Sequence, residues 1–183
     1  IGHLDPAFLQ VMDEVRSMLQ ACLETDNQLT LPLSGTGSAG MEACFGNLVE
    51  HGDRALIGVN GVFGGRMCEV ASRCGAEVTP VEGPWGRALS LDAFRQAAAG
   101  RSYSVLAVVH AETSTGVLQD LSGFAELARE LGALLVVDAV TSLGGVDLRV
   151  DEWGIDICYS ATQKCIGSPP GLSPITLSPR AVE

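Results

Sequence analysis

Residues 105–138 read VLAVVHAETSTGVLQDLSGFAELARELGALLVVD. Two wholly apolar runs, Val105–Val109 and Leu134–Val137, flank an amphipathic stretch, Phe124–Leu131, that stops at Gly132. Apolar residues three and four apart predict a helix in that stretch, and glycine just past a helix end is a common stop. Unbroken apolar runs of this length predict strands buried on both faces. Strand, helix and strand in succession make one crossover of a parallel sheet. Ligands of such sheets lie beyond the carboxyl ends of the strands. That singles out the segment after the first run, His110–Gly116, and Asp138, which closes the second.

The same alternation extends in both directions. Upstream, Ala55–Val59 predicts a strand, Val62–Cys74 a helix, Glu77–Val81 a strand, and Leu91–Ala99 a helix with Ser90 as N-cap. Residues 5–23 predict an amphipathic helix through Phe8, Leu9, Met12, Val15, Met18, Leu19 and Leu23, with Pro6 at its start. Thr30–Leu33 is extended, and a helix runs from about Ser38 to Glu50. Downstream, Asp156–Tyr159 and Ile175–Leu177 are two short strands. The fold class is α/β, with a mostly parallel sheet covered on both faces. There is no internal repeat and no linker, so residues 1–183 form one domain.

Composition narrows the function. The chain has 183 residues, 46% hydrophobic and 18% charged, with 22 glycines and a net charge of −11. That charge argues against holding nucleic acid by its phosphates. No apolar run approaches the ~18 residues of a membrane span. Neither an initiator Met nor a signal peptide is visible, and the chain reads as part of a longer protein. The six cysteines (22, 44, 68, 74, 158 and 165) show no CxxC and no zinc spacing. They read as reduced thiols, several of them buried, in a cytoplasmic setting or in an organelle such as the peroxisome.

Ten of the 11 basic residues are Arg, and the one lysine is Lys164. An amine can lose its proton and attack a carbonyl, which a guanidinium cannot. Gly35–Gly40 matches G-x-G-x-x-G, yet the next strand ends Val59-Asn60-Gly61, without the carboxylate that a dinucleotide ribose would need. The small residues at a helix start still suit a phosphate. Asp138 reads either as a carboxylate facing a cleft or as a cap for a segment starting at Val140. His110-Ala111-Glu112 matches the H-x-E of zinc deaminases but lacks the P-C-x-x-C partner. A phosphate cradle at 36–39, an acid ending a strand and a lysine 26 residues later suit one cofactor, pyridoxal 5'-phosphate. Lys164 would form the Schiff base and Asp138 would pair with the ring nitrogen.

The segments Ser34–Ala43, Ala55–Gly65, Glu112–Val117, Val137–Gly145 and Tyr159–Lys164 with Pro169-Pro170-Gly171 run in the order found in class V, fold-type I aminotransferases. The chain resembles that family over nearly its whole length, and most closely its alanine–glyoxylate and serine–glyoxylate (serine–pyruvate) branch. The resemblance implies the large domain of a three-layer α/β/α sandwich, without the family's N-terminal strap and small C-terminal domain. It implies a transaminase moving an amino group from a small amino acid to a 2-oxo acid such as glyoxylate or pyruvate. Lys164 and Asp138 would be catalytic. Thr36, Gly37 and Ser38 would hold the phosphate, with Gln163 beside them. Thr113 would lie near the ring hydroxyl, and Phe63 and Val140 would pack on the two ring faces. Phe63 stands where some relatives have Trp, and loses the indole N–H. The family's carboxylate-clamping Arg belongs to the small domain, and a homodimer shares its sites. Two other readings stay open. One is a lyase or desulfurase of the same fold, although desulfurases have His directly before the lysine and Gln163 stands here, with Cys165 expected on the buried side of the turn. The other is a non-catalytic nucleotide-binding α/β domain.

Overall fold

The computed structural model describes residues 1–183. The elements, in chain order, are α1 (Pro6–Leu23), β1 (Leu29–Ser34), α2 (Gly37–Leu48), β2 (Arg54–Val59), α3 (Val62–Arg73), β3 (Glu77–Glu82), α4 (Leu91–Ala98), β4 (Val105–Val109), β5 (Ala111–Glu112), β6 (Val117–Leu118), α5 (Phe124–Leu131), β7 (Leu134–Asp138), β8 (Ile157–Tyr159), β9 (Leu172–Leu177) and α6 (Pro179–Val182). Seven strands form one sheet in the order β1-β9-β8-β7-β4-β2-β3. Pairings among β3, β2, β4, β7 and β8 are all parallel, and β9 runs antiparallel to both β8 and β1. The sheet is thus mixed and mostly parallel. Pro32 and Pro80 sit in the two edge strands, β1 and β3, where a missing N–H costs least.

Side chains alternate across the sheet into two cores. Leu106, Val108, Leu135 and Val137 face Phe94, Phe124 and Leu127 of α4 and α5. Ala107, Val109 and Val136 face Met41, Phe45, Met67 and Val70 of α2 and α3. Helices on both faces make the three-layer sandwich. Helix ends follow local chemistry. Ser90 Oγ accepts from Ala93 N at 3.2 Å at the start of α4. Gly132, at φ 74°, closes α5 in the left-handed conformation that costs glycine least.

Three features depart from the sequence reading. The two-residue strands β5 and β6 pair as a small hairpin just past β4. β9 begins at Leu172, three residues earlier than expected. In α1 only Leu23 is buried, while Leu9 and Met18 are 47% and 58% exposed. Its apolar stripe forms as predicted but has little of this chain to pack on.

Candidate active site

The parallel strands end on one side of the sheet, and the predicted site residues lie at those ends. The β1–α2 turn carries the first group. Thr36 is the N-cap of α2 in extended backbone, and its side chain makes no capping bond. The Gly37 and Ser38 amides therefore keep their capacity for an anion, while Ala39 N donates to Thr36 O at 2.8 Å. Thr36 and Ser38 are exposed, while Gly37 is buried. A Cβ on Gly37 would lie 2.7 Å from Val140 Cγ2 and 3.2 Å from Ala161 Cβ, so this helix end abuts the loops after β7 and β8. Only glycine permits that approach.

Asp138 ends β7, in register with Val109 on one side and Tyr159 on the other. It is 3% exposed. Its Oδ1 accepts from Val140 N at 2.9 Å and its Oδ2 from the Tyr159 hydroxyl at 2.8 Å. Burial raises the carboxyl from 3.8 to about 6, and these two hydrogen bonds pull in the opposite direction. Burial and the neighbouring carboxylate also push the Tyr159 phenol well up, so it stays a donor. The cap reading of Asp138 holds locally, because Val140 N is its partner. What it caps, however, is a run of turns rather than a helix.

The β4 end supplies a second buried carboxylate that sequence reasoning left without a role. Glu112 is 1% exposed. It accepts from Phe63 N at 3.0 Å and Gly64 N at 3.3 Å at the start of α3. It also accepts from Ser114 N at 3.1 Å and Ser114 Oγ at 2.7 Å within its own turn. This carboxylate ties the segment bearing Phe63 to the turn bearing Thr113. Thr113 in turn shares a hydrogen bond with Thr141, just past Val140. A Cβ on Gly61 would collide with Glu112. The signal in the sequence was the acid itself, at the carboxyl end of a central strand.

Lys164 lies in the turn after β8 and is exposed, so its amine is accessible. The turn is held by Thr162 Oγ1, which donates to Pro169 O at 2.7 Å. Cys165 is exposed rather than buried, and its Sγ lies against the loop after β7, donating to Thr141 O at 3.2 Å. Gln163 Oε1 and Ser142 Oγ are buried without hydrogen-bond partners. Such atoms usually have a partner in a working protein.

The H-x-E pair separates: an unbroken strand would hold residues two apart on one face, but β4 ends at Val109 and His110 lies in a bend before β5. His110 turns to Trp153, with ring centroids 5.8 Å apart, while Glu112 caps α3. No three His, Cys, Asp or Glu side chains converge for a metal ion. At the end of β2, Asn60 Nδ2 donates to Arg87 O at 3.2 Å. The residues present fit a pyridoxal phosphate: uncapped amides beside two hydroxyls, a buried carboxylate and a reachable amine.

The profile of the family described as aminotransferase class-V matches residues 1–183. The chain is 42% identical over 183 residues to an alanine–glyoxylate aminotransferase of Drosophila melanogaster, covering 100% of this chain and 46% of that protein. It is 38% identical over 183 residues to a (S)-ureidoglycine–glyoxylate transaminase of Bacillus subtilis, covering 100% of this chain and 44% of that protein. The crystal structure of an alanine–glyoxylate aminotransferase from Nostoc sp. superposes with a TM-score of 0.97 at 53% identity, over 100% of this chain and 48% of that one. The chain thus spans about half the length of the relatives it matches.

Proposed function

Because the chain belongs to the class-V aminotransferase family, we propose that it carries the cofactor site of a pyridoxal 5'-phosphate-dependent transaminase. The amino donor is a small amino acid, alanine or serine, and the acceptor is a 2-oxo acid such as glyoxylate or pyruvate. Two relatives named for glyoxylate support that acceptor. The observation that carries the reading is Asp138: a buried carboxylate ending a central strand, held from both sides, one strand away from the turn that bears the chain's single lysine.

The cofactor, when bound, supplies a carbonyl to take the amino group and a ring to absorb the electrons left by a departing proton. The chain's residues do the rest. Lys164 Nζ would engage the carbonyl and, once released, would carry the proton from the donor's α-carbon to the carbon that had borne the carbonyl. Asp138 keeps a proton on the ring nitrogen. The amides of Gly37 and Ser38, with the hydroxyls of Thr36 and Ser38 and the Gln163 amide, receive the phosphate. Phe63 and Val140 press on the ring, and Thr113 orients its hydroxyl edge. Six free thiols suit a reducing compartment such as the cytoplasm. A homodimer with shared sites completes the proposal.

Borohydride reduction of the cofactor-loaded protein, followed by peptide mapping, tests the core of it. The label is expected on Lys164 and nowhere else, and Lys164→Arg is expected to abolish it while preserving charge. Label elsewhere, or turnover persisting in Lys164→Arg, overturns the assignment.

A further inference from the structure

Strand alternation places a second cavity behind the candidate active site. Val136 faces α2 and α3, so Asp138, two residues on, points to that side of the sheet. Val108 faces α4 and α5, and His110, two residues further, follows it to the opposite side. There a cavity of about 550 Å³ opens between the β5–β6 hairpin, the start of α5 and the loop through 146–153. That volume is ample for a small-molecule group.

The lining is one-sided in charge. Asp120, Glu126, Asp147 and Glu152 line the cavity, and no lysine or arginine does. Arg149, outside the lining, pairs with Asp147 at 3.2 Å and Glu152 at 3.0 Å, and Arg129 reaches Glu126 at 3.9 Å. Four carboxylates against two guanidiniums leave the rim negative. The inner wall is aromatic: His110 meets Trp153 edge to face, with an interplanar angle of 85°. His110 is 3% exposed, and its buried Nδ1 has no hydrogen-bond partner in the chain. Burial lowers its pKa, which keeps the imidazole uncharged. The uncharged His110 ring and the Trp153 indole together give the acidic cavity an aromatic wall that carries no charge of its own.

We propose that this cavity is a second binding site for a small organic cation, a guanidinium group, seated against Trp153 and held by Asp147, Glu126 and their neighbours. An anion finds no positive side chain in the lining. A metal ion finds no set of three ligands. A flat organic cation meets both requirements at once, because its charge satisfies the rim and its face suits the indole. The proposal does not depend on the transaminase reading.

Calorimetric titration with butylguanidinium and with its neutral isostere butylurea tests the site. Neither compound carries a primary alkylamine that could react with a pyridoxal carbonyl. Butylguanidinium is expected to bind one per chain, at least ten-fold tighter than butylurea, and to shift the His110 ring resonances. Asp147→Asn combined with Glu126→Gln, and separately Trp153→Leu, should each weaken it by ten-fold or more. The two carboxylates are on the surface, so the double variant keeps the fold and reads charge alone. Saturation with pyridoxal phosphate should leave the affinity unchanged. Equal affinity for the two isosteres, binding indifferent to these variants, displacement by pyridoxal phosphate, or no binding at millimolar concentration would each overturn the proposal.

Discussion

Asp138 shows how a residue suited to a cofactor weighs on the chain without one. Its carboxyl is raised from 3.8 to about 6 by burial. A carboxyl raised in the folded state binds its proton more tightly there than in the unfolded chain. Below the ordinary carboxylate range both states are protonated and no penalty exists. As pH climbs through 3.8 the unfolded chain ionises first, and stability falls until the folded carboxyl ionises near 6. The full cost is about 3 kcal/mol, at about 1.4 kcal/mol per pH unit. Asp138→Asn keeps the shape: its amide oxygen can face Val140 N and its NH₂ can donate to the Tyr159 oxygen. The cofactor-free variant should be more stable than the parent at pH 7 by about 1–3 kcal/mol, and equally stable near pH 3. Chemical denaturation at both pH values measures this. The same variant should transaminate slower by orders of magnitude, since the charge that keeps the ring nitrogen protonated is gone. Equal stability at pH 7 would mean that the carboxylate is not desolvated as described.

Among the elements, Glu112 joins what the sequence keeps 49 residues apart, the start of α3 and the turn after β4. Removing it leaves two helix amides and the Ser114 donors without a partner. Glu112→Ala should cost about 2–4 kcal/mol by denaturant midpoint, and Glu112→Gln less, because its oxygen can still accept from one side. Cofactor affinity should fall with both, as Phe63 and Thr113 lose their common anchor. A change under about 0.5 kcal/mol would show that the four bonds are incidental. This anchor was hard to read from the sequence for a physical reason. Periodicity reveals strands and helices that bury a face, and it served well for β2, β4, β7, α4 and α5. It is silent about β5 and β6, because two residues have no period. Asp138 was legible because a carboxylate ending an apolar run needs a reason. Its partner Tyr159 was not, because a tyrosine in a buried strand reads as core. The His110–Trp153 contact joins residues 43 apart, and nothing local announces it. Cys165 was misjudged because turn geometry, not pattern, decides which side of a turn faces water.

The whole molecule carries two deficits that a single chain does not settle. A phosphate at the start of α2 brings a charge near −2, and the helix N-terminus offers only about half a positive charge. None of the residues assigned to that end, Thr36, Gly37, Ser38 and Gln163, is basic. At the other extreme, α1 leaves Phe8, Leu9, Met12 and Met18 between 37% and 58% exposed. A contiguous apolar face of this kind marks an interaction surface. One arrangement answers both: a second copy that covers α1 and brings positive charge to the phosphate. The protein is then expected to sediment as a dimer, with cofactor absorbance moving in the same boundary. Dilution below the dimer dissociation constant should release chains and cofactor together. Leu9→Asp with Met12→Asp should move that dissociation to concentrations at least ten-fold higher, without lowering the helical content of the separated chains. A stable monomer that retains its full complement of tightly bound cofactor would refute the shared site. The roles of Lys164 and Asp138 would survive that result, because both belong to one chain, and the missing positive charge would have to come from the same polypeptide.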